Sequence, residues 1–596
     1  MKKFRNLKLF ILLSFFLGYS SVYASHLEGG EITWTCNGSG EFIFKVKLYR
    51  DCNGVTAPGS VTLTTDAPGW GSGIFCNQIL TKDLSPTGPG CPTCGAPNGF
   101  ASAVMECVYE SAPISISGVP PTSGWYFVYI DCCRNAAVTN LSAAGSGDFT
   151  LRAIMYPFNG ANTSPCFDAS PQFAEAPTMS VCSGDNVNYN HAAFDPELDS
   201  LMYEWAVPLD GTIYPSPAYA YAAGYNYQSP TPGPSLNPLN VSASIDASSG
   251  LISFRSYTNG AFVTVTKVTS YKCGVKTAEI FREIQFVVDN CTISAGVNNT
   301  SPDLNGGLNV EDVTVLAGDT LIRSVGATDY EFLSAANGGA LQSITMDVVS
   351  PHFGLNDTSF TNGCLIPPCA AMNNIMPRTG IAFVASTFKF PSACAHAGYS
   401  NGCLQHQRCF SFLFKFKDNF CSTNGITNKI LNVYVSGPEV VASGNDLMIS
   451  YPGASFQWCL NGVPIPGATD TIYTPVASGI YTVIATSGFG CSMLSNPVNR
   501  SVASVFALPG QDRTVYVYPN PVSANRTLNI QLKDVLVGQS VLFIYDNTGR
   551  RVKSVSTILN TTSDMLILDI SELKAGLYTL SFTDKLGELT KSFVVE

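Results

Sequence analysis

The chain has 596 residues, 32 basic and 43 acidic, for a net charge of −11 at pH 7, and only 13% of its residues are charged. No cluster of Lys and Arg occurs, which excludes a protein whose main task is gripping a nucleic-acid backbone, because such affinity comes from massed cations. No nucleic-acid partner is expected.

The first element is a leader. Met1-Lys2-Lys3-Phe4-Arg5 precedes an apolar run from Leu9 to Leu17 and the small-residue site Val22-Tyr23-Ala24, a pattern that predicts a signal peptide over 1–24. The apolar run is about half of the ~20 residues a membrane helix needs, so no transmembrane span is expected in the mature chain. Cleavage removes Lys2, Lys3, Arg5 and Lys8, leaving 28 basic and 43 acidic residues. All 20 cysteines follow the cleavage site, and an exported chain meets oxidising conditions, so disulfides are the first reading of them.

From there on the pattern is that of strands. Alternation such as Phe42-Ile43-Phe44-Lys45-Val46-Lys47-Leu48-Tyr49 and Val541-Leu542-Phe543-Ile544-Tyr545 recurs between Gly, Pro and Asn turns, while helical periodicity is scarce. The expected class is all-β, a disulfide-rich series of β-sandwich domains. Residues 25–160 read as an N-terminal cysteine-rich β domain. Residues 180–195, SVCSGDNVNYNHAAFD, align with residues 314–329, TVLAGDTLIRSVGATD, and each is followed by paired strands around one cysteine, Cys273 or Cys421. Two related sandwiches over 161–292 and 293–437 explain that repetition. Each segment holds an even number of cysteines: eight from Cys36 to Cys133, four from Cys166 to Cys291, six from Cys364 to Cys421, then Cys459 and Cys491. Residues 438–503 form a shorter unit, with Phe456-Gln457-Trp458-Cys459 facing Gly479-Ile480-Tyr481. A Cys459–Cys491 bridge there would close a loop of about 30 residues, a stabilisation of ~3 kcal/mol. Residues 504–514 read as a linker and 515–596 as a last sandwich.

Several segments resemble known families. Residues 438–503 are similar to small immunoglobulin-like repeats of bacterial surface proteins. The end of the chain carries Tyr518-Pro519-Asn520-Pro521, then Tyr545-Asp546-Asn547-Thr548-Gly549-Arg550, then Leu573-Lys574-Ala575-Gly576-Leu577-Tyr578 ahead of a final strand. In order and at the terminus, these resemble the type A C-terminal sorting domain of the type IX secretion system of Bacteroidota. The resemblance implies export by type IX machinery to the outer cell surface or the medium, with Tyr518, Pro519, Asn520, Pro521, Gly549, Gly576 and Tyr578 as the sorting motif. The N-terminal half, through Leu27-Glu28-Gly29-Gly30-Glu31, Leu48-Tyr49-Arg50-Asp51-Cys52 and Cys132-Cys133-Arg134-Asn135, resembles gliding-motility-associated and adhesin-like surface proteins of the same phylum. That resemblance implies a non-enzymatic surface protein whose partners are surface glycans or other surface proteins. The alternative is a carbohydrate-binding or polysaccharide-degrading accessory protein.

Candidate sites are few. Asp195, Glu197 and Asp199 place carboxylates at alternate positions in a turn similar to those of cadherin-like domains, and hard oxygen ligands of this kind suit calcium. No cofactor is expected unless calcium binds there; otherwise the carboxylates cap backbone amides. Cys394, His396, Cys403, His406 and Cys409 have zinc-like spacings, but after export disulfides are the stronger expectation. Adjacent Cys132 and Cys133 should point to opposite faces of a strand and bridge different partners. Ser200, Thr320 and Thr471 stand in Asp-Ser/Thr-apolar triplets that resemble Bacteroidota O-glycosylation sites. Trp70, Trp125 and the run Tyr214 to Tyr227 are the aromatics that could form a glycan platform. No nucleophile elbow, H-E-x-x-H or phosphate-binding loop is present, and the five histidines are scattered. No enzyme is expected.

Overall fold

The structure, a computed structural model, describes residues 27–596 apart from 53, 55, 92, 95–102, 160–165, 167, 178–179, 212, 295–296, 398–406, 452–454, 489, 502–512, 524–525 and 585–586. The leader 1–24 and most of the linker 504–514 lie outside the described residues. Every regular element described is a strand, apart from four single-turn 3-10 helices. No described helix is long and apolar enough to cross a membrane. Two compact units result, one running to Pro438 with Tyr451–Ala454 and Ala485–Leu494, the other holding Glu439–Ser450, Ser455–Ile484 and Ser495–Glu596.

In the first unit the strand Val275–Asp289 is the hub. It forms a long hairpin with Gly260–Lys272, and its other edge is shared among three strands. Ala278–Ile280 pair with Asp148–Met155, Arg282–Ile284 with Leu27–Cys36, and Val287–Asp289 run parallel to Ser180–Cys182. The eleven-stranded sheet therefore crosses the boundary expected at 160. An eight-stranded sheet crosses the boundary expected at 293, because Asn186–Asn190 pairs with Ile426–Ser436 at Asn188 and Thr427. The physical reason lies in the hub strand, buried along most of its 15 residues. Buried backbone polar groups must find partners on both edges, and nearby segments supply them.

Gly29 marks how tightly this is built. It stands opposite Ile284, where a Cβ would lie 2.1 Å from the Glu283 carbonyl oxygen. Only glycine admits that approach.

The sequence repeat is visible in three dimensions. Ser180–Cys182 runs parallel to the last strand of its repeat, and Val310–Leu316 does the same against Ile426–Ser436. Asp195 Oδ1 accepts the Glu197 amide at 2.9 Å, and Asp329 Oδ1 accepts the Glu331 amide at 2.9 Å. The two turns are equivalent.

The cysteines depart from the expected segment-by-segment pairing. Cys36–Cys166, Cys91–Cys421 and Cys394–Cys491 join different sequence segments, while Cys52–Cys94, Cys182–Cys291 and Cys364–Cys369 stay within theirs. The expected Cys459–Cys491 bridge is thus corrected: Cys491 belongs to a stretch grouped with the first unit and bonds Cys394 there, and the Cys459 thiol is free and buried. Cys132 and Cys133 bond to each other. The opposite-face argument failed because the strand Trp125–Cys132 ends between them.

In the second unit, Trp458 and Tyr481 are fully buried and both pack on Tyr473, at centroid distances of 5.5 and 5.7 Å. Its final residues form two sheets, Thr514–Tyr518 with Thr527–Lys533 and Asp564–Asp569, and Arg551–Leu559 with Gly538–Asp546, Gly576–Asp584 and Gly587–Val595. Alternate residues Leu528, Ile530 and Leu532 point inward to meet Leu542, Ile544, Leu580 and Phe582.

Candidate functional site

The terminal motif residues hold turns and the last strand in place. Asn520 Oδ1 accepts the Val594 amide at 2.8 Å, and its Nδ2 donates to the Ser592 carbonyl at 3.3 Å. Just past Pro521, Val522 donates to the Val594 carbonyl and accepts from the Glu596 amide. Tyr518-Pro519-Asn520-Pro521 thus leads the chain into a clasp on the final strand. Gly549 has φ of +80° and closes a turn in which Asp546 Oδ1 accepts the amides of Thr548 and Arg550. Those hydrogen bonds, with the Thr548 hydroxyl first, lower the Asp546 carboxyl to about 2. Gly576 opens the strand in which Tyr578 is buried, its hydroxyl donating to the Lys574 carbonyl at 2.9 Å and its ring stacked on Phe593. Tyr518 itself is exposed. The motif residues shape the turns and the last strand of this segment, and all but Tyr578 also stand at its surface.

The carboxylates considered for calcium do not converge on one point. Asp195 Oδ1 accepts the amides of Glu197 and Asp199, and Glu197 Oε2 accepts the Ala169 amide. Asp199 instead meets an ammonium: Lys272 Nζ lies 2.8 Å from Asp199 and 3.0 Å from Asp168, all three buried. Burial lowers the Lys272 pKa and the two carboxylates more than offset it, so the ammonium is held. The positive charge beside Asp199 thus comes from the chain. The one converging group of three metal-type side chains among the described residues is Cys52, Asp83 and Cys94, whose thiols form a disulfide. Asp195 keeps a buried Oδ2 without a partner, and burial with neighbouring carboxylates holds its pKa well above the usual range.

Of the zinc-spaced residues, Cys394 is in a disulfide and His396 is engaged on both nitrogens, with the Ala393 amide at 2.9 Å and the Ile366 carbonyl at 3.0 Å. Cys403 and His406 lie outside the described residues. Ser200, Thr320 and Thr471 are exposed, the first two opening strands and the third just preceding one. Trp125 is core, Trp70 packs partly against it, and Tyr219 is buried against Arg134.

Sequence reasoning missed the buried ions of the hub strand. Arg282, fully buried, reaches Glu31 at 2.6 Å, the Tyr49 hydroxyl at 2.7 Å and the Glu175 carbonyl at 2.9 Å. On the next residue, Glu283 receives both Arg134 Nε and Nη2, at 2.7 and 3.0 Å. Nothing in linear spacing announces such pairs, since their members lie 251 and 149 positions apart.

The family of secretion-system C-terminal sorting domains matches residues 516–596. The chain therefore ends in a sorting domain, the mark of a protein handled by a secretion system. No curated protein matches the chain. Similar solved structures include Sidekick-1 immunoglobulin domains 1–5, at 11% identity over 95% of this chain and 99% of that one, with a TM-score of 0.16. The I9–I11 tandem from titin is 11% identical over 50% of this chain and 96% of its own, with the same TM-score. Dpr2 Ig1-Ig2 in complex with DIP-Theta Ig1-Ig3 also gives 11% and 0.16, over 50% of this chain and 99% of that one. At that TM-score no property of those proteins transfers to this chain.

Proposed function

We propose that this is a non-enzymatic surface protein of a member of Bacteroidota, exported by the type IX secretion machinery through residues 516–596 and acting outside the cell as an adhesin-like or structural element. The sorting-domain match carries the first half of this reading. A body of disulfide-linked sheets supports the second, because such a body suits an oxidising exterior. Its partners on this reading are surface glycans or neighbouring surface proteins. The carbohydrate-binding alternative has one observation in its favour, a cavity beside the Asp195 turn. The test is cell fractionation with and without residues 515–596. Surface display of the body should be lost on truncation, and unchanged display would overturn the export reading.

A further inference from the structure

The two sheets of the sorting segment differ in their outer faces. On the four-stranded sheet, Phe543 stands between Ser554 and Ser581, and the Arg551 guanidinium covers its ring at 5.2 Å. The three-stranded sheet turns Val515, Val517, Leu528, Ile530 and Leu532 into the core. Side chains alternate along a strand, so the residues between them face outward. Register sets those residues in two rows, Tyr516–Gln531–Met565 and Tyr518–Asn529–Ile567.

Four of the six are large and mainly apolar, and all four are open to solvent: Tyr516 is 50% exposed, Tyr518 42%, Met565 55% and Ile567 65%. The rows are continuous. The Tyr518 hydroxyl donates to Met565 Sδ at 3.3 Å, and Asn529 Nδ2 donates to the Tyr518 carbonyl at 3.1 Å. None of the six carries a charge; Lys533 and Asp569 stand at the next positions beyond the rows, one at each end. Tyr516, Met565 and Ile567 also lie outside the three terminal sequence blocks, and their outward side chains add nothing to the core. A contiguous exposed apolar patch of this kind marks an interaction surface.

Its area selects the occupant. Four half-exposed side chains of about 200 Å² each offer roughly 400 Å², about half of the ~800 Å² that each partner buries in a stable complex. A lasting dimer or permanent subunit needs more than that, whereas a carrier that must bind its cargo and then release it does not. The match of residues 516–596 to secretion-system sorting domains supplies such a carrier. We infer that the outer face of the three-stranded sheet is the surface on which the secretion machinery docks, through an uncharged apolar patch of its own. This rests on the export reading above and adds which side of the segment is read.

The experiment follows export of the full chain in the cells that make it, by pulse labelling and fractionation. Tyr516→Thr, Met565→Thr and Ile567→Thr together keep strand-forming residues while removing the apolar surface, and should slow export about tenfold or more. Proteolysis of the retained chain across a urea series reports that 516–596 stays folded. Should the triple variant unfold, Ile567→Lys alone, at the most exposed of the four positions, should still slow export severalfold. Ile558→Lys, at an exposed position on the four-stranded sheet, should not. Export at the parental rate in Ile567→Lys, or an equal loss in Ile558→Lys, would overturn the inference. So would sedimentation showing the purified mature chain to be a dimer that Ile567→Lys dissociates with export unchanged, which would give the face to a second copy. Removal of 515–596 separates the two claims: display lost on truncation but kept in the face variants sinks this surface alone, and display without 515–596 sinks the export reading.

Discussion

The disulfide-linked body and the sorting segment are both built from β-sheets, yet they are held by different forces. The body up to Pro438 carries ions inside: Arg282 with Glu31, Arg134 with Glu283, and Lys272 with Asp168 and Asp199. Its remote segments are also tied covalently, as at Cys36–Cys166 and Cys91–Cys421. The sorting segment has no cysteine and a core mainly of Val, Leu, Ile and Phe, and the one buried pair seen among its described residues, at Asp584, takes its cation from Arg513 just before the segment, at 2.6 Å. Hydrophobic burial is non-directional and tolerant, whereas buried ions demand particular partners in particular positions. The sorting segment thus coheres through an apolar core and backbone pairing, without a covalent tie. The body depends on long-range pairing and on oxidation outside the cytoplasm.

Three substitutions sharpen or break this contrast, each read by proteolysis of the full chain across a urea series, with peptides from the two regions followed by mass spectrometry. Arg282→Met takes from the buried Glu31 the nearer of its two cations, leaving Lys47 at 3.3 Å, and should destabilise the body by about 3 kcal/mol or more, with peptides from 516–596 unaffected. Equal protection of the body would mean that the hub pairs do not hold it. Leu580→Ala, at a fully buried position, should cost about 2–4 kcal/mol in the sorting segment and leave the body's peptides unchanged. If both regions weaken together, their separate stability is wrong.

The smallest expected effect is a pH dependence at Asp329. Burial raises its carboxyl to about 6 in the folded chain, above its unfolded value. A raised acid contributes stability below the unfolded pKa and loses it as pH climbs through the folded one. Asp329→Asn should therefore be more stable than the parent at pH 8, by roughly 1–2 kcal/mol, with the difference fading from pH 6 toward 4. A difference independent of pH would assign the effect to packing instead.

The strands, the repeat and the terminal motif were legible because each is local. Period-2 alternation over Phe42–Tyr49 marked a strand whose Phe42, Phe44, Val46 and Leu48 are buried, and the aligned Gly-Asp and Asp of 180–195 and 314–329 led to equivalent turns at Asp195 and Asp329. Domain limits at 160 and 293 were read as boundaries between sandwiches, and the structure runs sheets through both. A sequence repeat records where related chain segments begin and end, not where a strand edge finds its hydrogen bonds. Cysteine parity misled for the same reason, since Cys394 and Cys491 are near each other only after folding.

For the candidate site, the alternating carboxylates of Asp195, Glu197 and Asp199 were visible in the chain, while Lys272, which stands among their neighbours, was not. The sequence by itself determined the all-β class, the repeat and the sorting segment, because side-chain alternation and turn residues act over a few positions. Only the tertiary structure decided which distant strand edges joined, that Cys36 met Cys166 and Cys91 met Cys421, and that Asp195, His352 and Arg408 line one cavity, because those depend on contacts between residues more than 50 positions apart.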